Sequence, residues 1–348
     1  MAQKTRHIAF IRLSAMGDVA MTVPVILAFM QHHPEVKVTV VSRAFFKPIF
    51  LQIPQIQFVS VHTHHQHKGL WGIFRLYREL KALGVTEIAD FHNVLRSKIL
   101  RFLFALRGQK TAYTDKGRLE KKQLTRLEEK TIAPLKPMTL RHIETLQKLG
   151  YTVPFDTLYY LPKEALSPNV LEQTGPKQQL WIGIAPFAQH SAKVYPIDLL
   201  QNVVAELSQR PYRIFLLGGG RRESELLDTL TPFGEHIKNM ANKISFEHEL
   251  ELIANLDLMV SMDSGNAHLA ALYGVKTITL WGATHPYAGF APYGQPLDYC
   301  LTADRSQYPF LPTSIYGNKK VAGYEQAMRT ITPQQILQKI YSIVSEER

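Results

Sequence analysis

Several features that would quickly assign a protein to a class are scarce or missing in this sequence. The single cysteine, Cys300, cannot form an internal disulfide, and it fits a reducing compartment. The most apolar stretch, residues 19–30, is shorter than the ~20 residues that a membrane-spanning helix needs. No secretory signal is recognisable at the N-terminus. These absences predict a soluble, cytoplasmic protein, for which contact with a membrane surface stays open.

Common nucleotide and metal motifs are also missing. The sequence contains no G-x-x-x-x-G-K-[ST] phosphate loop and no G-x-G-x-x-G dinucleotide fingerprint, which disfavours a dehydrogenase. The histidine-rich tract 62–67 lacks cysteine or carboxylate partners at ligand spacing, so a solvated loop is favoured over a metal site.

Negative charge is scarce in one region of a basic chain. The 348 residues carry a net charge of +11, and residues 96–148 contain 14 Lys and Arg against 5 Asp and Glu. Such a segment is either a solvated helical face, as the mixed signs of 118–130 suggest, or a surface that meets an anionic partner. Arg96 and Lys98 have few acidic neighbours and favour the second interpretation.

Strand-like and helix-like patterns alternate along the chain in two sets. The predicted strands are residues 7–13, 36–42, 57–61 and 87–91 in the first half and 180–185, 213–218, 258–262 and 276–281 in the second. Helical patterns between them cover 18–32, 69–83, 95–106, 197–209, 221–230, 246–255 and 266–273, and a last helix starts at Thr332-Pro333. This alternation predicts an α/β protein with two doubly wound, Rossmann-like domains, residues 1–168 and 178–348, joined near the proline-containing segment 162–179. A position of the last helix back on the N-terminal domain stays open.

Polar and small residues follow many of the predicted strands, where open α/β sheets bind their ligands. Asp18 lies after the first strand, in the turn 14-SAMGD-18 that opens a helix. The segment 263-DSGNAH-268 predicts a helix N-terminus that suits phosphate, with Asp263 and His268 beside it. Lys193 and Glu223 lie after two other strands. Helix capping for the acids and solvation for the lysine are the simpler alternatives for each residue taken alone.

The combination of these segments resembles a known family. The segments 12-RLSAMGDVAMTVP-24, 90-DFHNVLRS-97, the lysine before 195-YP-196, 218-GGGRRESE-225 and 258-LMVSMDSGNAHLAALYGVKTITLWGATHP-286 occur in this order. Together they are similar to the lipopolysaccharide heptosyltransferases of glycosyltransferase family 9 over nearly the whole chain. The resemblance implies a GT-B fold, in which two domains face a central cleft, and inverting sugar transfer without a metal or other cofactor.

The resemblance also implies roles for individual residues. The donor, a nucleotide sugar such as ADP-heptose, would contact Lys193, Glu223, Ile244, Asp263, Ser264, Gly265 and His268 in the C-terminal domain. Asp18 would be the catalytic base, with Lys193 stabilising the leaving diphosphate. The acceptor, an anionic lipopolysaccharide inner core, would lie on the N-terminal domain near Ser14, Gly17, His92 and Arg96. Peripheral contact with an anionic membrane fits this acceptor, and a D-x-D metal motif is missing from the sequence.

Two departures keep alternatives open. Ala188 and Gln189 stand where the family often places small hydroxyl residues, and residues 285–294 form an aromatic-rich loop that could reshape the sugar pocket. A GT-B enzyme that uses another nucleotide sugar for a different bacterial surface glycan is therefore the second interpretation. A nucleic-acid-binding protein is disfavoured, because acids at Asp18, Glu223 and Asp263 would repel a phosphate backbone.

Overall fold

Two parallel β-sheets form the framework of the computed structural model, which describes residues 6–319 and 321–345. One compact unit comprises the described residues up to Gly117 together with Lys136–Leu161. The other comprises Arg118–Leu135 together with the described residues from Pro162 onward. The chain therefore leaves the first unit once, returns to it, and leaves it again at Leu161. Residues 118–135, which the sequence analysis places in the first domain, group with the second unit.

The first unit contains a five-stranded sheet of order β3-β2-β1-β4-β5, in which all neighbours are parallel. Its strands are β1 His7–Ile11, β2 Lys37–Ser42, β3 Gln57–Ser60, β4 Glu87–Asp90 and β5 Lys110–Tyr113. The first helices of the chain are α1 Met16–Ala20, α2 Val23–His32, α3 Lys47–Leu51, α4 Gly69–Ala82 and α5 Leu95–Ala105. Next come α6 Arg118–Leu124, which groups with the second unit, and α7 Met138–Lys148, which returns to the first.

Helices cover the first sheet and bury its apolar strands. Side chains of α4 and α5, including Leu76, Leu80 and Phe104, pack on Ala9 and Ile88 of the sheet. Strands that are buried in this way read as continuous apolar runs, which explains why the sequence predicts them well.

The first predicted helix, residues 18–32, is two helices in the structure. α1 ends at Ala20 and α2 begins at Val23, with Pro24 in its first turn. Thr22 Oγ1 donates to the carbonyl of Val19 at 2.7 Å and stabilises the break. Proline has no backbone N–H to continue a preceding helix, and it is well suited to the first turn of a new one.

The second unit contains a six-stranded parallel sheet of order β11-β10-β9-β6-β7-β8. Its strands are β6 Leu180–Ala185, β7 Tyr212–Leu216, β8 Ile237–Asn239, β9 Leu258–Met262, β10 Lys276–Trp281 and β11 Cys300–Thr302. The remaining helices are α8 Pro168–Thr174, α9 Ile197–Leu207, α10 Gly220–Asp228, α11 Phe246–Ala254, α12 Gly265–Leu272 and α13 Pro333–Ser345.

The last helix, α13, belongs to the core of the second unit. Ile336, Ile340 and Ile343 are buried together with Leu200 and Val203 of α9. Its start is fixed by a reciprocal capping box, because Thr332 N donates to Gln335 Oε1 at 2.7 Å and Gln335 N donates to Thr332 Oγ1 at 3.2 Å. The sequence leaves open a position on the N-terminal domain, and the apolar stripe instead lies in the second unit.

Among the described residues, no helix is both long enough and apolar enough to cross a lipid bilayer.

Candidate functional site

The carboxyl edge of the first sheet brings the loop after β1 beside the loop after β4. The two strands are paired in register, with Ile11 opposite Asp90. Residues 12–18 and 91–93 therefore leave the sheet next to each other. This edge holds the predicted residues Ser14, Gly17, Asp18 and His92.

Asp18 is held in place by Arg12. An Arg12 Nη2–Asp18 Oδ2 ion pair links the two side chains, and the backbone N–H of Ala15 donates to the same carboxylate oxygen at 3.3 Å. The Asp18 side chain is 22% exposed, so it remains open to solvent on one side. A carboxylate that is fixed in this way stays close to its working position without further ordering.

Arg12 is buried, and its guanidinium contacts two backbone carbonyls in addition to Asp18. Its Nε donates to the carbonyl of Ser14 and its Nη1 to the carbonyl of Phe91, both at 2.8 Å. The guanidinium thus connects the loops that follow β1 and β4 to the carboxylate of Asp18. Arg12 was not among the predicted site residues. It is a cation directly after the first strand and ahead of Asp18, and this position could have indicated it.

His92 is buried at the same edge and carries a neutral ring. Its backbone N–H donates to Asp90 Oδ1 at 3.1 Å, and Asn93 N donates to the same oxygen at 2.7 Å. Burial lowers the pKa of His92 to about 3, and the charge of Arg12 acts in the same direction. Its Nδ1 is buried without a hydrogen-bond partner among the described residues.

Asp90 stabilises the turn at His92 and Asn93 from the protein interior. Its carboxyl group is fully buried, and burial raises the pKa of Asp90 even though hydrogen bonds from Asn93 and His92 oppose the shift. Arg101 Nε lies 3.6 Å from Asp90 Oδ2. Asp90 therefore serves to position the His92 loop.

Arg96, predicted as an acceptor-binding residue, contacts the protein itself. It lies in the first turn of α5, and its Nη1 donates to the carbonyl of His67. His67 is fully buried, and its Nε2 lies 3.0 Å from Glu79 Oε2. The prediction that the whole 62–67 tract is a solvated loop was wrong at His67, because this ring anchors the loop that precedes α4.

Lys193 and Asp263 form an ion pair at the carboxyl edge of the second sheet. Lys193 follows β6 and Asp263 follows the neighbouring strand β9. Lys193 Nζ lies 2.9 Å from Asp263 Oδ2, and both side chains are largely buried. Gly317 packs against the lysine so closely that a Cβ atom there would lie 2.5 Å from Lys193 Cδ. The sequence predicts both charged residues but gives no signal for Gly317.

The helix α12 begins directly after Asp263 and Ser264. Ser264 is the N-cap residue and has an extended backbone, but its side chain makes no cap hydrogen bond. Its Oγ instead lies 3.1 Å from Ser261 Oγ. Gly265 begins the helix as predicted, and His268 is buried one turn later. The first-turn N–H groups of α12 are thus not closed by the serine side chain, an arrangement that favours an anion at this point.

Glu223 follows β7, and Ile244 follows the neighbouring strand β8. Glu223 Oε2 accepts from Gly219 N at 2.8 Å, as a first-turn acid does. Asn242 holds the same loop through reciprocal 3.1 Å hydrogen bonds with Gly220. Ile244 is half-buried two residues further along. Asn242, which the sequence analysis missed, fixes the glycine-rich loop on which Glu223 depends.

The basic segment 118–135 packs on the aromatic loop 285–294. Lys121 is buried with its Nζ 4.1 Å from the centroid of the Phe290 ring, and Leu135 N donates to the carbonyl of Tyr287 at 2.8 Å. Lys130 Nζ donates to the carbonyl of Pro312 at 3.1 Å, and burial lowers the pKa of Lys130 to about 8. Part of the basic segment is therefore structural, and the interpretation as a fully solvated face was wrong for Lys121.

Among residues 6–319 and 321–345, no three His, Cys, Asp or Glu side chains are grouped as metal ligands.

Known proteins resemble this chain over most of its length. The family model for glycosyltransferase family 9 (heptosyltransferase) matches residues 73–333. Lipopolysaccharide heptosyltransferase 2 of Salmonella typhimurium is 24% identical, over 96% of this chain and 97% of the relative. The lipopolysaccharide core heptosyltransferase OpsX of Haemophilus influenzae is 22% identical, over 83% of this chain and 82% of the relative.

Solved structures have the same architecture. The E. coli heptosyltransferase WaaC with ADP has a TM-score of 0.71 at 19% identity, covering 97% of this chain and 99% of that one. The E. coli ADP-heptose LPS heptosyltransferase II has a TM-score of 0.69 at 18% identity, covering 98% and 99%. Likeness at this identity establishes the fold, and it confirms the predicted GT-B class with two doubly wound units.

Proposed function

Because the chain belongs to glycosyltransferase family 9, the heptosyltransferases, we propose that it transfers a heptose from ADP-heptose to the inner core of lipopolysaccharide. The observation that carries this proposal is the fixed, partly exposed carboxylate of Asp18 at the carboxyl edge of the first sheet. The reaction we assign is a single inverting displacement that needs no metal ion.

In this reaction Asp18 acts as the general base. An acceptor hydroxyl attacks the anomeric carbon while its proton passes to the Asp18 carboxylate. The bond from the anomeric carbon to the diphosphate oxygen breaks, and ADP leaves with the electron pair. Arg12 supports this step because the ion pair holds the carboxylate in one orientation toward the attacking hydroxyl.

The second unit supplies the donor site. Lys193 and the N-terminus of α12 at Ser264 and Gly265 stabilise the charge that develops on the diphosphate. Asp263 orients Lys193 through the 2.9 Å ion pair and faces the sugar. Glu223, on the loop fixed by Asn242, receives the ribose hydroxyls, and Ile244 and His268 complete the donor contacts.

The first unit supplies the acceptor site. Ser14 and Gly17 lie in the turn that carries Asp18, and the neutral ring of His92 can hydrogen-bond a sugar hydroxyl. Arg96 and the other cations of residues 96–117 and 136–148, where nine Lys and Arg stand against two Asp and Glu, suit the anionic sugars and phosphates of a lipopolysaccharide core. We assign the protein to the cytoplasm, at the inner face of the inner membrane where such an acceptor is built.

A thermal-shift series tests the donor assignment. ADP and ADP-heptose should raise the melting temperature, whereas UDP and GDP at equal concentration should not. A ligand at about 100 times its Kd contributes about 2.7 kcal/mol, which is readily measured. Lys193→Gln should reduce the ADP response. A preference for UDP would instead favour the second candidate, a transferase that uses another nucleotide sugar for a different surface glycan.

Transfer itself is then measured with ADP-heptose and a lipopolysaccharide-core acceptor in the presence of a chelator. Undiminished turnover supports a metal-independent reaction, and loss that is restored by a divalent cation would contradict it.

A further inference from the structure

Two neighbouring helices of the first unit expose large apolar side chains to solvent. α4 and α5 cover the same side of the sheet, where they share a buried core and a T-shaped contact between Tyr77 and Phe104. Their outward surface, here called the α4/α5 face, exposes Leu70, Trp71, Phe74, Leu95, Phe102 and Leu106. Trp71 is 87% exposed. Scattered exposed apolar residues are normal, but six large ones on two neighbouring helices indicate an interaction surface.

The sequence pattern of α4 places these residues on one stripe. At 100° per residue, Trp71 lies opposite the buried Ile73, Leu76 and Leu80. Phe74 lies about 130° and Leu70 about 90° from the centre of that buried side, so the three side chains form an apolar strip from one flank of α4 to its outer surface. A helix that meets only water has a polar side there instead.

Cations surround and interrupt the apolar side chains of the α4/α5 face. The exposed cations of the two helices and their ends are Lys68, Arg75, Arg78, Lys81, Lys98 and Arg107. Glu79 is the acid of α4 near this stripe, and it is engaged by Arg75 at 3.3 Å and by His67. The sequence from Phe91 to Thr114 contains no acidic residue. The face thus combines apolar anchors with excess positive charge.

We propose that the α4/α5 face docks the protein on an anionic lipid bilayer. A helix lying in the membrane interface uses Trp, Phe and Leu on its inserted side and Lys or Arg toward the phosphates. Long cationic side chains such as Arg78 and Lys98 reach the headgroups while the apolar groups enter the acyl boundary. Charge complementarity with anionic headgroups selects a lipid surface over an uncharged apolar partner.

The position of the face connects docking to the site. α4 and α5 each follow a strand, so both begin near the carboxyl edge of the first sheet. The hydrogen bond from Arg96 to the carbonyl of His67 ties the two helix starts together. Leu70, Trp71 and Leu95 lie in the first turns of these helices. Docking would hold the edge that carries Asp18 close to the headgroups, where a lipid-linked acceptor is presented; this consequence rests on the proposed function.

The test measures co-sedimentation of the full chain with vesicles of phosphatidylcholine alone and of phosphatidylcholine mixed with phosphatidylglycerol. Wild type should bind the mixed vesicles and release them at high salt, because surface charges are screened. Trp71→Gln combined with Phe74→Gln should weaken binding by more than about tenfold, the loss expected from buried apolar anchors. Arg78→Gln and Lys98→Gln should each weaken it by about fivefold.

Matched controls lie in the second unit. Phe233 is 38% exposed, compared with 44% for Phe74, and Lys163 is an exposed lysine. Phe233→Gln and Lys163→Gln should bind the mixed vesicles like wild type. Because all of these side chains are exposed, the variants should keep the melting temperature of wild type.

Equal binding to both vesicle types would overturn the proposal, and so would wild-type binding by the Trp71 and Phe74 double variant. A third contrary result is wild-type protein that does not bind vesicles but forms a dimer, which the double variant abolishes. The last result would make the face a contact between copies of the chain. The ADP thermal shift is measured on the same samples. If ADP gives no shift while vesicle binding follows the expected pattern, the proposed function fails and the docking surface stands.

Discussion

Arg12 and Asp18, six residues apart in the chain, form an ion pair across the turn that joins β1 to α1. The guanidinium also binds the carbonyls of Ser14 and Phe91, so one buried cation fixes both loops and the carboxylate. The position of the carboxylate is consequently defined by the fold alone, as the proposed role of general base requires.

Replacing Asp18 by Asn should abolish transfer while donor binding persists. Asn cannot accept the proton of the attacking hydroxyl, and a general base contributes about two to four orders of magnitude. The measurement is turnover with ADP-heptose and a lipopolysaccharide-core acceptor, together with the ADP thermal shift. Asp156→Asn, at an exposed carboxylate of the same unit, should leave both unchanged. Turnover of Asp18→Asn within tenfold of wild type would refute the assignment.

Replacing Arg12 by Met should destabilise the protein and lower turnover together. The substitution removes the guanidinium from the carbonyls of Ser14 and Phe91 and from the Asp18 carboxylate, which keeps the Ala15 N–H. Loss of one partner of a buried ion pair costs about 3–5 kcal/mol, and the partly exposed Asp18 places this cost at about 3 kcal/mol. Urea unfolding measures this cost. In the Asp18→Asn background the added loss should be smaller, because part of the interaction is already gone. Additive losses would show that the two residues act independently.

Two glycines with the same φ angle give a controlled test of the Lys193 site. Gly317 and Gly323 both have φ +81°, but a Cβ at Gly317 would lie 2.5 Å from Lys193 Cδ, and a Cβ at Gly323 meets nothing within 4 Å. Alanine at either position carries the strain of positive φ. Gly317→Ala should in addition displace Lys193 and weaken ADP binding by at least about tenfold, the worth of a charge-assisted contact. Equal ADP affinity in the two alanine variants would contradict a donor role for Lys193.

His92 should make stability depend on pH. Its folded pKa of about 3 lies below the ordinary value near 6.5, because burial disfavours the charged ring. The unfolded chain therefore binds the proton first as the pH falls. Stability is complete above about pH 6.5 and declines toward about pH 3, by up to about 1.4 kcal/mol per pH unit. Between pH 7 and pH 5, the free energy of unfolding of wild type should fall by about 2 kcal/mol more than that of His92→Gln.

Urea unfolding at the two pH values measures this difference. His64→Gln, in the exposed part of the histidine tract, controls for the removal of a histidine as such. If His92→Gln and wild type lose stability equally, the His92 ring is not held neutral by its surroundings.

The sequence predicts most of the long elements, although it misses the 11-residue helix α7, and it predicts the short elements poorly. β6, β9 and β10 have the predicted bounds because their apolar runs are buried on both faces. β8 and β11 are three residues long, too short for a period to show. α8 was missed within the segment interpreted as a linker, since its seven residues have few apolar positions. Ser167-Pro168 is a helix start of the same kind as Thr332-Pro333.

For the site, the sequence identifies groups that stand at strand ends but not the groups that hold them. Asp18, Glu223 and Asp263 follow strands in the printed sequence, so their neighbourhood can be inferred. Arg12, Asn242 and Gly317 act through contacts between loops that are far apart in the chain or through close packing. Such contacts have no periodic signature. The catalytic, donor-binding and acceptor-binding roles of all the site residues remain predictions.

The placement of residues 118–135 has a consequence for how this protein can be divided or recombined. Neither unit is a continuous stretch of sequence, because the chain passes from one to the other at three points. A fragment beginning at Pro162 would lack the partners of Tyr287, Phe290 and Pro312 that residues 118–135 provide. Exchanging the second unit between relatives therefore requires crossovers at all three points. A single junction near residue 162 would join the aromatic loop 285–294 of one relative to the segment 118–135 of another.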